Sequence, residues 1–407
     1  MKQVDAEQLK RIFAALPENP RVLVSGNFGT PRALLDLFDS VVPTYRLHML
    51  NAQPGIPDRL GVEYETAFVG LGMRGSERLH YIPSRLSLLP VMLRDELAPD
   101  VVLIHTSEPR HDTVSLGIEV NILPAAIESA REHGGLVIAQ VNANMPYTYG
   151  DAQIYENEID FIFTRDEALS VHTQAPISHL AHSIGSKISE LVSSGSTLQL
   201  GIGSVPDAVV ERMTSRKDLR IWTEMFSDGV LNLEKIGALD SEIPITASFI
   251  FGSPELYSWL NLNRRVRMLR TEKTNDPSII AKQAKMTSIN SALQVDLLDQ
   301  ANASRVRDHI YSGFGGSTDF IVGALHSRGG KSFMTLPSWH AKSNTSKIIP
   351  LITDGVTSFQ HSYVVTEQGI APCFGHSESD QAHNLIRHAA HPDAKAGLLA
   401  AAKKMGL

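Results

Sequence analysis

Apolar residues in this chain gather in short runs, and these runs alternate with segments of helical period. Arg21–Ser25 (RVLVS), Pro99–His105 (PDVVLIH), Gly135–Val141 (GLVIAQV) and Ile159–Thr164 (IDFIFT) each read as a buried strand. Leu123–His133, with Pro124 near its start, reads as a helix, and Thr30-Pro31 opens another after the turn Gly26-Asn27-Phe28-Gly29. This βαβα order predicts an open α/β sheet with mostly parallel strands. The pattern also repeats. Val22–Phe38 (VLVSGNFGTPRALLDLF) and Leu198–Met213 (LQLGIGSVPDAVVERM) share a strand, a glycine turn, a proline at the helix start and an apolar helix face. Two similar α/β domains are therefore expected. The boundary is placed in the polar stretch Thr173–Ser183, giving domains of residues 1–178 and 179–407, with Ile184–Val192 the first helix of the second.

Composition narrows the classes. With 407 residues, the chain is long enough for two or three cores. The 43% hydrophobic and 20% charged content is that of a soluble globular enzyme. No apolar run approaches the roughly 20 residues of a membrane span. The opening MKQVDAEQLKRIF lacks a signal-peptide core, so a cytoplasmic location is expected. A net charge of −7 argues against nucleic acid and acidic membranes as partners. The single cysteine, Cys373, excludes an internal disulfide and reads as a small core filler. His361, His376, His383, His388 and His391 crowd the C-terminal end without metal-ligand spacing, so no metal is expected.

The densest chemistry lies in Thr197–Gly229. Gly201 and Gly203 allow a tight turn and close approach of a ligand, and Pro206 suits the first position of the following helix. N–H groups at such a turn favour anions, although the same pattern also serves as a plain structural turn. The spacing is not the dinucleotide fingerprint, because Pro206 stands where the third glycine belongs. Glu224 ends an apolar strand, where open α/β sheets bind ligands. With an ordinary pKa near ~4.3 it would be an ionised nucleophile at neutral pH. A surface ion pair or helix cap is the alternative. Asp228-Gly229 reads as a turn.

Tyr311–Phe320 (YSGFGGSTDF) brings Gly313, Gly315 and Gly316 together. Such a loop can direct N–H groups at a carbonyl oxygen or pyrophosphate, or can form a tight turn. Lys342 and Lys347 follow in a polar loop and are candidates for a phosphate. Asn261–Lys273 (NLNRRVRMLRTEK) is the most basic stretch. It reads as an exposed strand or as a seat for the phosphates of a large anionic cofactor.

Taken together, these motifs resemble the acetyl-CoA hydrolase/transferase family. The resemblance runs from about Asp100 onward. It rests on VNANMPYTYGD (Val141–Asp151), TLQLGIGSVPDAVV (Thr197–Val210), TEMFSDGV (Thr223–Val230), SINSALQVDL (Ser288–Leu297), SGFGGSTDFIVGA (Ser312–Ala324), VVTEQGIA (Val364–Ala371) and AAHPD (Ala389–Asp393). The resemblance implies two open α/β domains of the CoA-transferase type with the active site between them. It implies that Glu224 carries acyl and CoA groups covalently. It further implies that Gly201, Ile202, Gly203, Ser204 and Val205 bind coenzyme A, with Gly313 and Gly315 in the second glycine loop. Gly316 would supply a backbone donor near the thioester, and Lys342 would approach CoA. The implied partners are a short-chain acyl-CoA and a small carboxylic acid, and a homodimer is the default assembly. The competing readings are an acyl-CoA hydrolase using water, a non-catalytic acyl-CoA-binding protein, and a sugar-phosphate isomerase of similar architecture.

Overall fold

The computed structural model describes residues 1–172, 176–201, 203–307, 309–356 and 361–407. The chain forms two units. One comprises Met1–Thr173 with Pro244–Thr274 and Ile310–Gly315. The other comprises Gln174–Ile243, Asn275–His309 and Gly316–Leu407. The division is therefore not a single cut in the sequence, because two stretches from the second half of the chain belong to the first unit.

The first unit is built on an eight-stranded sheet. Its order is Lys2–Gln3, Phe161–Thr164, Leu136–Val141, Val101–Thr106, Arg21–Val24, Tyr45–His48, Val62–Thr66, Leu79–Tyr81. Every pairing is parallel. All six residues of Val101–Thr106 are buried, which is why the strand reads as a continuous apolar run rather than an alternating one. Helices Ala6–Ala14 and Arg32–Asp39 fill the core, with Phe38 edge-on to both Phe13 and Tyr45 at 5.0 Å.

Chain order reverses at Arg21–Val24, and the Gly26–Gly29 turn leaves the sheet there. A Cβ on Gly26 would overlap the Leu50 carbonyl, so glycine is required by close backbone approach. Buried Glu119 pins this turn: one carboxyl oxygen accepts from the Gly26 N–H (3.0 Å) and from the Asn27 and Asn121 amides (3.1 and 3.0 Å). Burial outweighs these donors and pushes its carboxyl up to about 7.

The second unit holds a six-stranded sheet in the order Arg220–Ile221, Thr197–Leu200, Thr287–Ser291, Lys331–Thr335, Tyr363–Val365, Ile370–Pro372. Its pairings are parallel except the last. Its core gathers Met334, Leu336, Val364, Leu385, Ile386 and the fully buried Cys373. The strand–turn–helix plan recurs as Thr197–Leu200 followed by Ser204–Glu211. The helix starts two residues before Pro206, which occupies its third position. An N–H there still lacks an intrahelical acceptor, so proline costs nothing. The preceding helix is His179–Leu191, five residues longer at its start than the apolar pattern suggests, because the Ser178 hydroxyl caps it by accepting from Ala181 N–H. Asp228-Gly229 opens the helix Asp228–Lys235 rather than forming a turn.

The basic stretch is not an exposed strand. Val266–Met268 is the middle strand of a three-stranded sheet, between Ile245–Ala247 and Tyr149–Gly150. Arg270 is paired with Glu128 and Glu272, and Lys273 with Asp151. Among the described residues, no helix is long and apolar enough to cross a membrane.

Candidate active site

Register places Glu224. Leu198 pairs with Ile221, so two residues on Leu200 lies beside Thr223. The buried Thr223 hydroxyl locks this edge: it accepts from Leu200 N–H (3.1 Å) and donates to Met225 O (2.8 Å). The Gly201 turn and Glu224 thus leave the carboxyl end of the sheet from adjacent strands, the position where open α/β sheets receive ligands. Gly201, Pro206 and the segment after Glu224 close on one another, leaving a cleft of only about 10 Å³ between them.

Glu224 is partly exposed, yet protein surrounds its carboxyl group. The Asn275 amide donates to Oε2 at 3.0 Å. Gly316, the residue that caps the helix Ser317–His326, lies directly against the same group: a Cβ at Gly316 would overlap both Glu224 Oε2 and Asn275 Nδ2. Among the described residues, the Gly316 N–H has no acceptor. Asp319, buried on the first turn of that helix, adds a negative charge nearby.

The expectation of an ordinary carboxylate pKa is corrected here. Burial raises Glu224 most, the Asn275 hydrogen bond opposes it, and Asp319 adds to the rise. The result is about 7. Near neutral pH the group is divided between acid and anion, and the anion is poorly solvated. Removing Asn275 deletes the interaction that favours the charged form, so the pKa must climb further. Asn275→Ala is therefore expected to move the acidic limb of the pH–kcat/KM profile to higher pH, while activity recovers as pH rises. An unshifted limb would show that Glu224 does not govern it.

The other candidate positions separate. Gly203 has φ of +130°, a conformation open to glycine, and a Cβ there would meet nothing within 4 Å. Ser204 and Val205 form the first turn of the helix that follows, where N–H groups lack intrahelical acceptors. Ile202 lies outside the described residues. Gly313 and Gly315 belong to the first unit. A Cβ on Gly313 would overlap the Ala67 carbonyl. Gly315 holds φ of +57° against the Phe68 ring and accepts from Leu86 N–H at 3.1 Å. Close packing thus accounts for both glycines. Lys342 stands exposed in the turn between Trp339–His340 and Thr345–Ser346 and forms no ion pair among the described residues. Lys347 is half-buried, and burial lowers its pKa against the opposing charge of Glu367. Burial raises Glu367, but donors from Ser338 outweigh it and hold its carboxyl low. His361 is fully buried and bonded to Asp299 at 2.6 Å. Among the described residues, no group of three or more His, Cys, Asp or Glu could hold a metal ion.

Sequence reasoning missed Asn275. In the string Thr274-Asn275-Asp276-Pro277, the visible signal is the helix start that Asp276 caps. Nothing in that signal points to a carboxylate 51 residues upstream.

Comparison with known proteins places the chain in a family. The acetyl-CoA hydrolase/transferase N-terminal domain model matches residues 63–171, and the C-terminal domain model matches residues 252–402. A 4-hydroxybutyrate coenzyme A transferase from Clostridium kluyveri is 34% identical over 99% of this chain and 97% of its own. Similarity therefore extends well before Asp100, ahead of the family motifs in the sequence. Among solved structures, RipA from Yersinia pestis superposes with a TM-score of 0.89 at 27% identity, covering 100% of this chain and 98% of that one. The 4-hydroxybutyrate CoA-transferase AbfT-2 from Porphyromonas gingivalis gives 0.81 at 28% identity, covering 99% and 98%. With full-length similarity, a shared fold and a glutamate seated at the end of a strand, the chain belongs to the acetyl-CoA hydrolase/transferase family.

Proposed function

We propose that the protein transfers coenzyme A between a short-chain acyl-CoA and a carboxylic acid, through a thioester on Glu224. The observation that carries this reading is the setting of Glu224: a desolvated carboxyl held by Asn275 against the Gly316 backbone at the start of a helix.

The chemistry balances without an outside reagent. The Glu224 carboxylate attacks the acyl-CoA carbonyl, the C–S bond breaks, and CoA thiolate leaves behind an acyl-glutamyl anhydride. The thiolate attacks the glutamyl carbonyl, which forms the enzyme thioester and frees the donor acid as its carboxylate. An acceptor carboxylate then attacks this thioester and expels the thiolate again. The thiolate attacks the acceptor's acyl carbon, forming the new acyl-CoA and restoring Glu224. One thioester replaces another, so the net energy change is small.

Each addition generates an oxyanion close to the Glu224 carboxyl carbon. The Gly316 N–H and the positive end of the helix behind it are suited to stabilise that charge, and the Asn275 amide holds the carboxyl in place. Gly203, Ser204 and Val205 present backbone at a turn next to Glu224 and suit the CoA phosphates or pantetheine amides. Lys342 is an exposed cation suited to the CoA phosphates.

Initial rates measured with both substrates varied test the reading. Transfer through an enzyme thioester predicts parallel double-reciprocal lines, and acetate or butyrate should convert CoA release into acyl exchange. Intersecting lines would rule out the covalent route. Free CoA release that no acid diverts would assign the hydrolase activity, with water as the acceptor.

A further inference from the structure

A second concave site lies wholly in the first unit, among residues given no part in the proposed transfer. It has a volume of about 290 Å³ and is lined by Arg110, Asp112, Tyr147, Tyr149, Gln153, Tyr155 and Arg264 among others. That volume matches the lower end of small-ligand pockets, roughly 300 Å³.

The walls are fixed by backbone. Arg110 and Thr113 close a tight turn with reciprocal hydrogen bonds of 2.8 and 3.2 Å. Thr113–Ser115 pairs antiparallel with Gln153–Tyr155 to make the floor. Tyr149–Gly150 pairs with Val266–Met268, and Leu262 N–H donates to Tyr147 O at 2.8 Å, which brings the Arg264 segment to the opposite rim. The tyrosines are locked in turn. The Tyr147 hydroxyl shares a 2.6 Å hydrogen bond with Thr113 Oγ1 and accepts from Gln153 Nε2 at 3.1 Å. Its ring meets that of Tyr149 edge to face at 5.6 Å.

The charge arrangement is selective. Arg110 lies over Tyr147 at 5.8 Å, and Arg264 over Tyr149 at 5.9 Å. In the same basic stretch, ion pairs occupy Arg270 and Lys273, but Arg110 and Arg264 form none among the described residues. Both are exposed and line the pocket. Guanidinium forks suit phosphate oxygens, and aromatic faces suit a planar base. A lining carboxylate such as Asp112 suits ribose hydroxyls.

We propose that this pocket binds a nucleoside polyphosphate, with the base against the tyrosines and the phosphates between Arg110 and Arg264. Two sources carry that chemistry: a free nucleotide such as ADP, or the nucleotide end of coenzyme A.

Calorimetric titration of the full chain with ADP, adenosine and inorganic phosphate tests this, alongside Arg110→Gln and Arg264→Gln. ADP should bind below millimolar concentration, adenosine and phosphate should each bind more weakly, and either substitution should weaken ADP about tenfold or more. Both positions are exposed, and unchanged thermal melting confirms folding. Displacement of ADP by CoA, with KM for acyl-CoA raised in both variants at constant kcat, would identify the nucleotide end of CoA as the occupant. Simultaneous binding of ADP and CoA with KM unchanged would identify a free nucleotide. Absence of ADP binding at millimolar concentration, or equal ADP affinity in wild type and both variants, overturns the proposal. The ADP titrations are independent of turnover at Glu224, so they stand or fall separately from the proposed transfer.

Discussion

Glu224→Ala is expected to lower kcat/KM for CoA transfer by on the order of 10⁴-fold or more, since removal of a covalent nucleophile leaves only binding and oxyanion stabilisation. Glu224→Gln should fall as far at first, because it keeps the volume and the Asn275 contact but cannot attack a thioester. Slow deamidation of that glutamine would return activity over hours, a recovery the alanine variant cannot show. Neither change should unfold the protein, because the native carboxyl sits at an energetic disadvantage. Its pKa of about 7 shows that the surroundings disfavour the anion relative to water. An alanine variant with full activity would remove Glu224 from the mechanism.

Gly316→Ala is expected to cost about 10²–10³ in kcat, comparable to loss of one oxyanion donor. The backbone at Gly316 has φ of −98°, which alanine tolerates, so the new methyl group creates no backbone strain. Its effect falls on the two side chains it would overlap, Glu224 and Asn275. Overpacking of this kind costs about 1–3 kcal/mol of stability, small beside the catalytic loss. The expected signature is a soluble, folded variant whose Glu224 carboxyl has been moved from its donors. Wild-type kcat in Gly316→Ala would mean that the carboxyl works from a different position.

Much of this was legible in the sequence. Leu136–Val141 and Val101–Thr106 read as buried strands because parallel central strands bury both faces. Glu224 was visible because it interrupts an apolar run at a strand end, one helix and one strand on from Gly201. Its pKa was not visible, since the shift comes from burial and from Asp319, residues that meet only after folding. The second glycine cluster holds different environments that its spacing does not mark: Gly313 and Gly315 pack against the Ala67 carbonyl and the Phe68 ring, while Gly316 lies against the Glu224 carboxyl. The return of 244–274 and 310–315 to the first unit left no compositional mark, because a strand pairs through its backbone irrespective of where the chain came from.

The central claim is a covalent bond between the Glu224 carboxyl carbon and sulfur. Incubation with acyl-CoA and no acceptor, a borohydride quench, and mass spectrometry of the peptide spanning Glu224 address it most directly. The account predicts reduction of that side chain to an alcohol, dependent on acyl-CoA and absent from Glu224→Gln. An intact glutamate at 224 in an enzyme that turns over under the same conditions would contradict it.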